Sequence, residues 1–90
     1  MQELLFFMLP HCPHCQLARR YLEALRAENK EYAAIKITEI DESREKALAD
    51  QYDYFLVPSF FLNGKKLHEG HAERSDVEAV LRVAAEAARS

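Results

Sequence analysis

Cysteine is scarce: Cys12 and Cys15 are the only two in 90 residues. A disulfide-stapled secreted framework is therefore excluded, because a bridge across so small a loop would constrain little of the unfolded chain. Positive charge is not in surplus either. Twelve Lys and Arg stand against fifteen Asp and Glu, a net charge of −3, so phosphate contacts find no support and nucleic acid is not an expected partner. Long apolar runs are absent. The longest, Leu4 to Leu9, is far below the ~20 residues of a membrane span. It is also short for a signal-peptide core, and it follows Glu3 where such a signal would carry Lys or Arg. No membrane association is expected, and the chain reads as cytoplasmic. Linkers, repeats and low-complexity stretches are missing too, so residues 1–90 are expected to form one domain.

What is present is ordinary for a folded chain: 49% hydrophobic and 30% charged residues, which excludes intrinsic disorder. Glu3 to Leu9 is apolar without a helical polar face and is predicted as a buried strand ended by Pro10. Pro13 suits the first turn of a helix, where no amide donor is needed. Ala18, Tyr21, Leu22 and Leu25 follow at helical spacing, opposite Arg19, Arg20, Glu23 and Arg26, and Asn29–Lys30 ends the helix. Ile35 and Ile37 alternate with Lys36 and Thr38, which predicts a second strand over 32–38. Asp41 is read as the N-cap of a helix reaching about Tyr52, with Ala47, Leu48 and Tyr52 as its apolar stripe. Phe60-Phe61-Leu62 is a third strand, Asn63-Gly64 a hairpin turn, and Lys65 to Glu69 the returning strand. After a loop from Gly70 to Arg74, Ser75-Asp76-Val77-Glu78 has the form of a capping box before a last helix.

The cysteine pair therefore needs a chemical explanation. His11-Cys12-Pro13-His14-Cys15 lies between the first strand and the first helix. A cysteine at a helix start meets unpaired N–H groups and the positive end of the helix dipole, which favour thiolate. Cys12 is thus the expected attacking thiolate, with Cys15 one turn inside as the less accessible resolving thiol. His14, between them, can direct a hydrogen bond or positive charge at the Cys12 sulfur and make the disulfide more oxidising.

With Val57-Pro58 before a short strand, Asn63-Gly64, and Gly70 before the last helix, the chain resembles the thioredoxin superfamily, and most of all its small glutaredoxin-like members. The resemblance covers essentially the whole chain in element order. It implies an α/β thioredoxin fold, β-α-β-α-β-β-α, with a four-stranded mixed sheet flanked by three helices. It makes Cys12 the nucleophile and Cys15 the resolving cysteine. It makes Pro58 the family's cis-proline beside the disulfide and gives the Val57 backbone to a bound peptide or glutathione. The dipeptide Pro13-His14 is that of strongly oxidising members, whereas glutaredoxins typically carry Pro-Tyr. His11 and Phe6 stand where thioredoxins usually have Trp and a buried Asp, Leu9 where glutaredoxins often have a basic residue, and Gly70-His71 where they have paired glycines.

The expected function is thiol–disulfide exchange through the Cys12/Cys15 dithiol, reducing protein or glutathione mixed disulfides, with Pro13 and His14 as tuning residues. His11, Val57, Pro58, Gly70 and His71 are the candidate substrate contacts, although His11 and His71 read equally well as solvated loop residues. No bound cofactor and no metal are expected. Glutathione is the candidate co-substrate, glutathione or a flavoprotein reductase would recycle the dithiol, and a monomer is expected. Two alternatives stay open: a metal or iron–sulfur carrier using Cys12 with a second chain or glutathione, and a redox-sensing binding module. Tyr54 and Phe55 are either core or an apolar surface near the disulfide, and His68 is read as an outward edge-strand residue without a role.

Overall fold

The computed structural model describes residues 3–89. Among them the elements run β1 (Leu4–Met8), α1 (Pro13–Glu28), α2 (Lys30–Ala33), β2 (Ile37–Asp41), α3 (Lys46–Ala49), β3 (Ser59–Leu62), β4 (Lys65–Glu69) and α4 (Arg74–Arg89). The strands form one mixed sheet in the order β2-β1-β3-β4. β1 pairs parallel with β2 and antiparallel with β3, which pairs antiparallel with β4. The expected α/β class and four-stranded mixed sheet are present, with four helices rather than three.

Alternation along β1 divides the core, since successive side chains of a strand leave opposite faces. Leu4, Phe6 and Met8 join the larger cluster, built with Ala18, Leu22 and Leu25 of α1, Tyr32 of α2, and Val77, Val80 and Leu81 of α4. The Phe6 and Phe60 rings stack there with centroids 4.9 Å apart, as their direct pairing across β1 and β3 requires. Phe7 leaves by the other face and meets Ile40, Ala49 and Phe61 in a smaller cluster, with Tyr52 and Tyr54 packed against it. No helix among the described residues is long and apolar enough to cross a membrane.

Three boundaries differ from the sequence expectation. The second strand is Ile37–Asp41, not 32–38. Asn29 both ends α1 and caps α2, its side chain accepting the Glu31 N–H at 2.9 Å. Arg26, expected on the polar face, donates instead to the carbonyls of Tyr32, Ala33 and Ile35 at 3.2, 2.8 and 2.8 Å. These bonds hold 30–35 in a turn, so pairing with β1 begins at Ile37 and carries Asp41 into the strand. Asp41 then caps a turn, accepting the Ser43 N–H at 3.0 Å, rather than a long helix. The helix expected to reach Tyr52 shrinks to α3, with Ala47 exposed and Ala49 buried, because Tyr52 and Tyr54 are drawn onto Phe7 and Phe61. The last helix starts at Arg74, and Asp76 accepts the Glu73 N–H at 2.9 Å. The reciprocal cap thus sits two residues ahead of its expected place.

Candidate active site

Cys12 is the N-cap of α1 and Pro13 its first residue. Proline supplies the helical φ and has no amide to leave orphaned. The Cys12 side chain bonds no helix amide, which leaves its sulfur free for chemistry while the helix start points N–H groups its way. Cys12 is half-buried; Cys15, one turn on, is 2% exposed and part of the larger core cluster. Both thiols are free, and the two side chains are hydrogen-bonded to each other. Burial, above all, pushes the Cys15 thiol up to about 12; the Leu9 backbone opposes this, while the Cys12 neighbour and the Glu42 charge add to it. One helical turn therefore carries an accessible sulfur and a buried, proton-retaining one.

The loop before β3 is held from three sides. The Val57–Pro58 peptide is cis, Val57 is half-buried against the core cluster that also receives Cys12, and Pro58 is buried. The Gly70 N–H donates to the Pro58 carbonyl at 2.8 Å. Ser59 donates its hydroxyl to the Leu56 carbonyl. The Glu69 carboxylate accepts the N–H groups of Phe55 and Leu56 at 2.6 and 2.9 Å and the Lys66 ammonium at 2.6 Å. Those bonds, Lys66 first, pull the Glu69 carboxyl down to about 2. With its backbone held this way, the loop presents Phe55 at 90% and Leu56 at 60% exposure beside Val57. Tyr54, by contrast, packs on Phe7 with centroids 4.8 Å apart and donates its hydroxyl to Glu42 at 2.7 Å. Burial, then the Glu42 bond, raises its phenol above the ordinary tyrosine range.

The histidines separate. His14 and His71, both exposed, meet with their Nδ1 atoms 2.9 Å apart, so the ring contact of His14 is to the loop before α4. His11, also exposed, lines a groove of about 560 Å³ with Leu9, Pro10, Cys12, Asp41, Ser43 and Arg44. His68 is half-buried and its Nε2 lies 3.0 Å from the His71 carbonyl; a register shift in the β3–β4 pairing breaks the simple outward alternation. No group of three or more His, Cys, Asp or Glu side chains that could hold a metal ion occurs among the described residues. Sequence reasoning missed Glu69 and Arg44, whose neighbours come from distant segments and leave no local pattern, and Glu73, whose partners His71 and Asp76 are local but form no recognised motif.

The glutaredoxin family model matches residues 4–67. This chain belongs to the glutaredoxin family. A thioredoxin of Methanocaldococcus jannaschii is 31% identical over 58 residues, which are 64% of this chain and 66% of that relative. Among solved structures, the thioredoxin of Malassezia sympodialis superposes with a TM-score of 0.75 at 16% identity, covering 93% of this chain and 75% of its own. Oxidised thioredoxin of Plasmodium falciparum gives 0.73 at 16%, with 93% and 81% covered. A thioredoxin variant from Halobacterium salinarum gives 0.69 at 22%, with 93% and 74% covered. These likenesses concern the fold. This glutaredoxin-family chain shares their fold, and its own Cys12 and Cys15 stand at the start of α1.

Proposed function

We propose that the chain is a thiol–disulfide oxidoreductase acting on protein or glutathione mixed disulfides through Cys12 and Cys15. The observation that carries this reading is the asymmetry within one helical turn: a half-buried sulfur at the N-cap and a buried thiol pushed up to about 12. Cys12 thiolate attacks the substrate disulfide, a mixed disulfide forms, and the first substrate thiolate leaves. Cys15 then loses its proton and attacks the Cys12 sulfur, releasing the second substrate thiolate and leaving the Cys12–Cys15 bridge. Two electrons pass to the substrate. The high proton affinity of Cys15 keeps it from competing as the first nucleophile, since the thiolate is the attacking form.

Phe55 and Leu56, exposed beside Val57, are the proposed apolar contacts for a protein substrate, with the Val57 backbone next to them. Pro13 and His14 act as tuning residues, and His11, Pro58, Gly70 and His71 complete the substrate side. Net reduction is the proposed direction, with glutathione or a flavoprotein reductase restoring the dithiol and the cytoplasm, where thiols are kept reduced, as the setting.

The test is the equilibrium potential of the Cys12/Cys15 couple. The protein is equilibrated in graded reduced and oxidised glutathione, trapped by alkylation and weighed by mass spectrometry. A potential near ~−270 mV identifies a general reductant, and one above ~−200 mV an oxidant or glutathione-poised enzyme. Absence of a bridge at every ratio, or full exchange activity in Cys12→Ser, overturns the reading.

A further inference from the structure

His14, His71 and Glu73 meet where the start of α1 faces the loop between β4 and α4, with His68 against the His71 backbone. His14 Nδ1 lies 2.9 Å from His71 Nδ1, with the rings edge-on at 83°. His71 Nε2 is bonded to the Glu73 carboxylate, and His68 Nε2 lies 3.0 Å from the His71 carbonyl. Asp76, on the first turn of α4, holds the Glu73 N–H at 2.9 Å and so anchors the backbone that carries the carboxylate.

With both rings neutral, hydrogen counting assigns the protons. An ionised carboxylate only accepts, so His71 must bear hydrogen on Nε2; in the neutral ring its Nδ1 is then a bare lone pair. Two facing Nδ1 atoms need one hydrogen between them, and His14 has to supply it. The neutral His14 is thereby left with an unprotonated Nε2, the opposite of the form an imidazole prefers in water. We propose that His71 and Glu73 are positioning residues that hold His14 in the Nδ1–H form, so that its Nε2 accepts the proton released when the Cys12–Cys15 bridge closes.

The chemistry of this proposal rests on the thiol–disulfide reading, whereas its geometry does not. In the closing step the Cys15 S–H bond breaks, a bond forms between the Cys15 and Cys12 sulfurs, and the substrate sulfur leaves Cys12 with the electron pair. The proton goes to His14 Nε2 through solvent. Once Nε2 is protonated, the Nδ1 hydrogen can pass to His71 Nδ1, which sets the positive charge beside the Glu73 carboxylate. A resolving thiol with so high a proton affinity is the group that needs such an acceptor.

Nitrogen-15 NMR of the histidine rings at about pH 8, above the ordinary histidine range, reads the tautomers directly. The reduced wild type is expected to show Nδ1–H for His14 and Nε2–H for His71, and His71→Ala to return His14 to Nε2–H. In parallel, the rate at which Cys15 resolves a glutathione mixed disulfide preformed on Cys12 should fall about tenfold or more in His71→Ala. Glu73→Ala should fall between wild type and His71→Ala in both readouts. A wild-type His14 in the Nε2–H form, or one unmoved by His71→Ala, overturns the proposal. An unchanged resolution rate overturns the proton-acceptor role. Should no bridge form in any protein, the exchange reading falls with that role, while the tautomers still decide whether the chain of hydrogen bonds exists.

Discussion

Glu69 carries three donors on one carboxylate, two of them backbone N–H groups of the loop beside Val57. Its folded-state pKa, about 2, lies below the ordinary 4.5, so the folded state prefers the ionised form. The stability it contributes is fully present above pH 4.5 and is lost as pH falls through about 2. Urea midpoints measured from pH 6 to pH 2 should therefore fall more steeply in wild type than in Glu69→Gln; parallel curves would show the carboxylate to be idle. Nothing near Glu69 in sequence announces this role, because Phe55 is fourteen residues away. The cysteine pair, by contrast, is legible in the sequence, since its chemistry depends on a spacing of two residues and a helix start. His14 is legible as a site residue but its partner is not, because the His71 contact exists only once the last loop folds back onto α1.

The β3–β4 hairpin and the loop before α4 each turn on a glycine with positive φ, and the two should respond differently to alanine. Gly64 has φ +84° and open space where a Cβ would stand, so Gly64→Ala should cost only the backbone penalty, roughly 1–2 kcal/mol. Gly70 has φ +89° and would set a Cβ 3.3 Å from Leu56 Cδ1. Gly70→Ala should therefore lower stability further and disturb the Pro58 carbonyl bond as well. Chemical denaturation of the two variants compares them, and equal losses would mean that Leu56 yields freely. The hairpin is readable from Asn63-Gly64 because turn chemistry is local. The turn at α2 is not, since it depends on Arg26 reaching carbonyls up to nine residues on. Arg26→Ala strips three carbonyls of one charged donor, an expected loss of about 2 kcal/mol. Its denaturation midpoint should fall accordingly, and a neutral result would show solvent to serve those carbonyls equally well.

At the scale of the molecule, the sheet is covered unequally. Among the described residues, seventeen buried hydrophobic side chains form the cluster beneath α1, α2 and α4. Only four, Phe7, Ile40, Ala49 and Phe61, form the cluster on the other face. The cover there is the segment between β2 and β3, whose regular structure is the single four-residue α3 and whose hold on the sheet is the packing of Tyr52 and Tyr54 rings on Phe7 and Phe61. Most backbone hydrogen bonds along this segment are local ones, such as Ala49 N–H to Glu45 at 3.0 Å. Losing them does not require the sheet to open. Burial sets the cost of opening, so residues 45–54 should open without the rest of the fold. Their amides should exchange through an opening about 2 kcal/mol or more below global unfolding, while those of Phe6, Phe60 and Leu81 exchange only with the whole. Native-state hydrogen exchange in dilute denaturant reads both. Equal protection across the two sets would mean that the thin face is as strongly held as the thick one. A lower value for 45–54 would leave Val57 and Pro58 in place, because the Gly70 and Ser59 bonds that hold them lie outside the opening segment. Ser43 and Arg44, on the far wall of the Cys12 groove, would stay too, because both bond to Asp41 of β2.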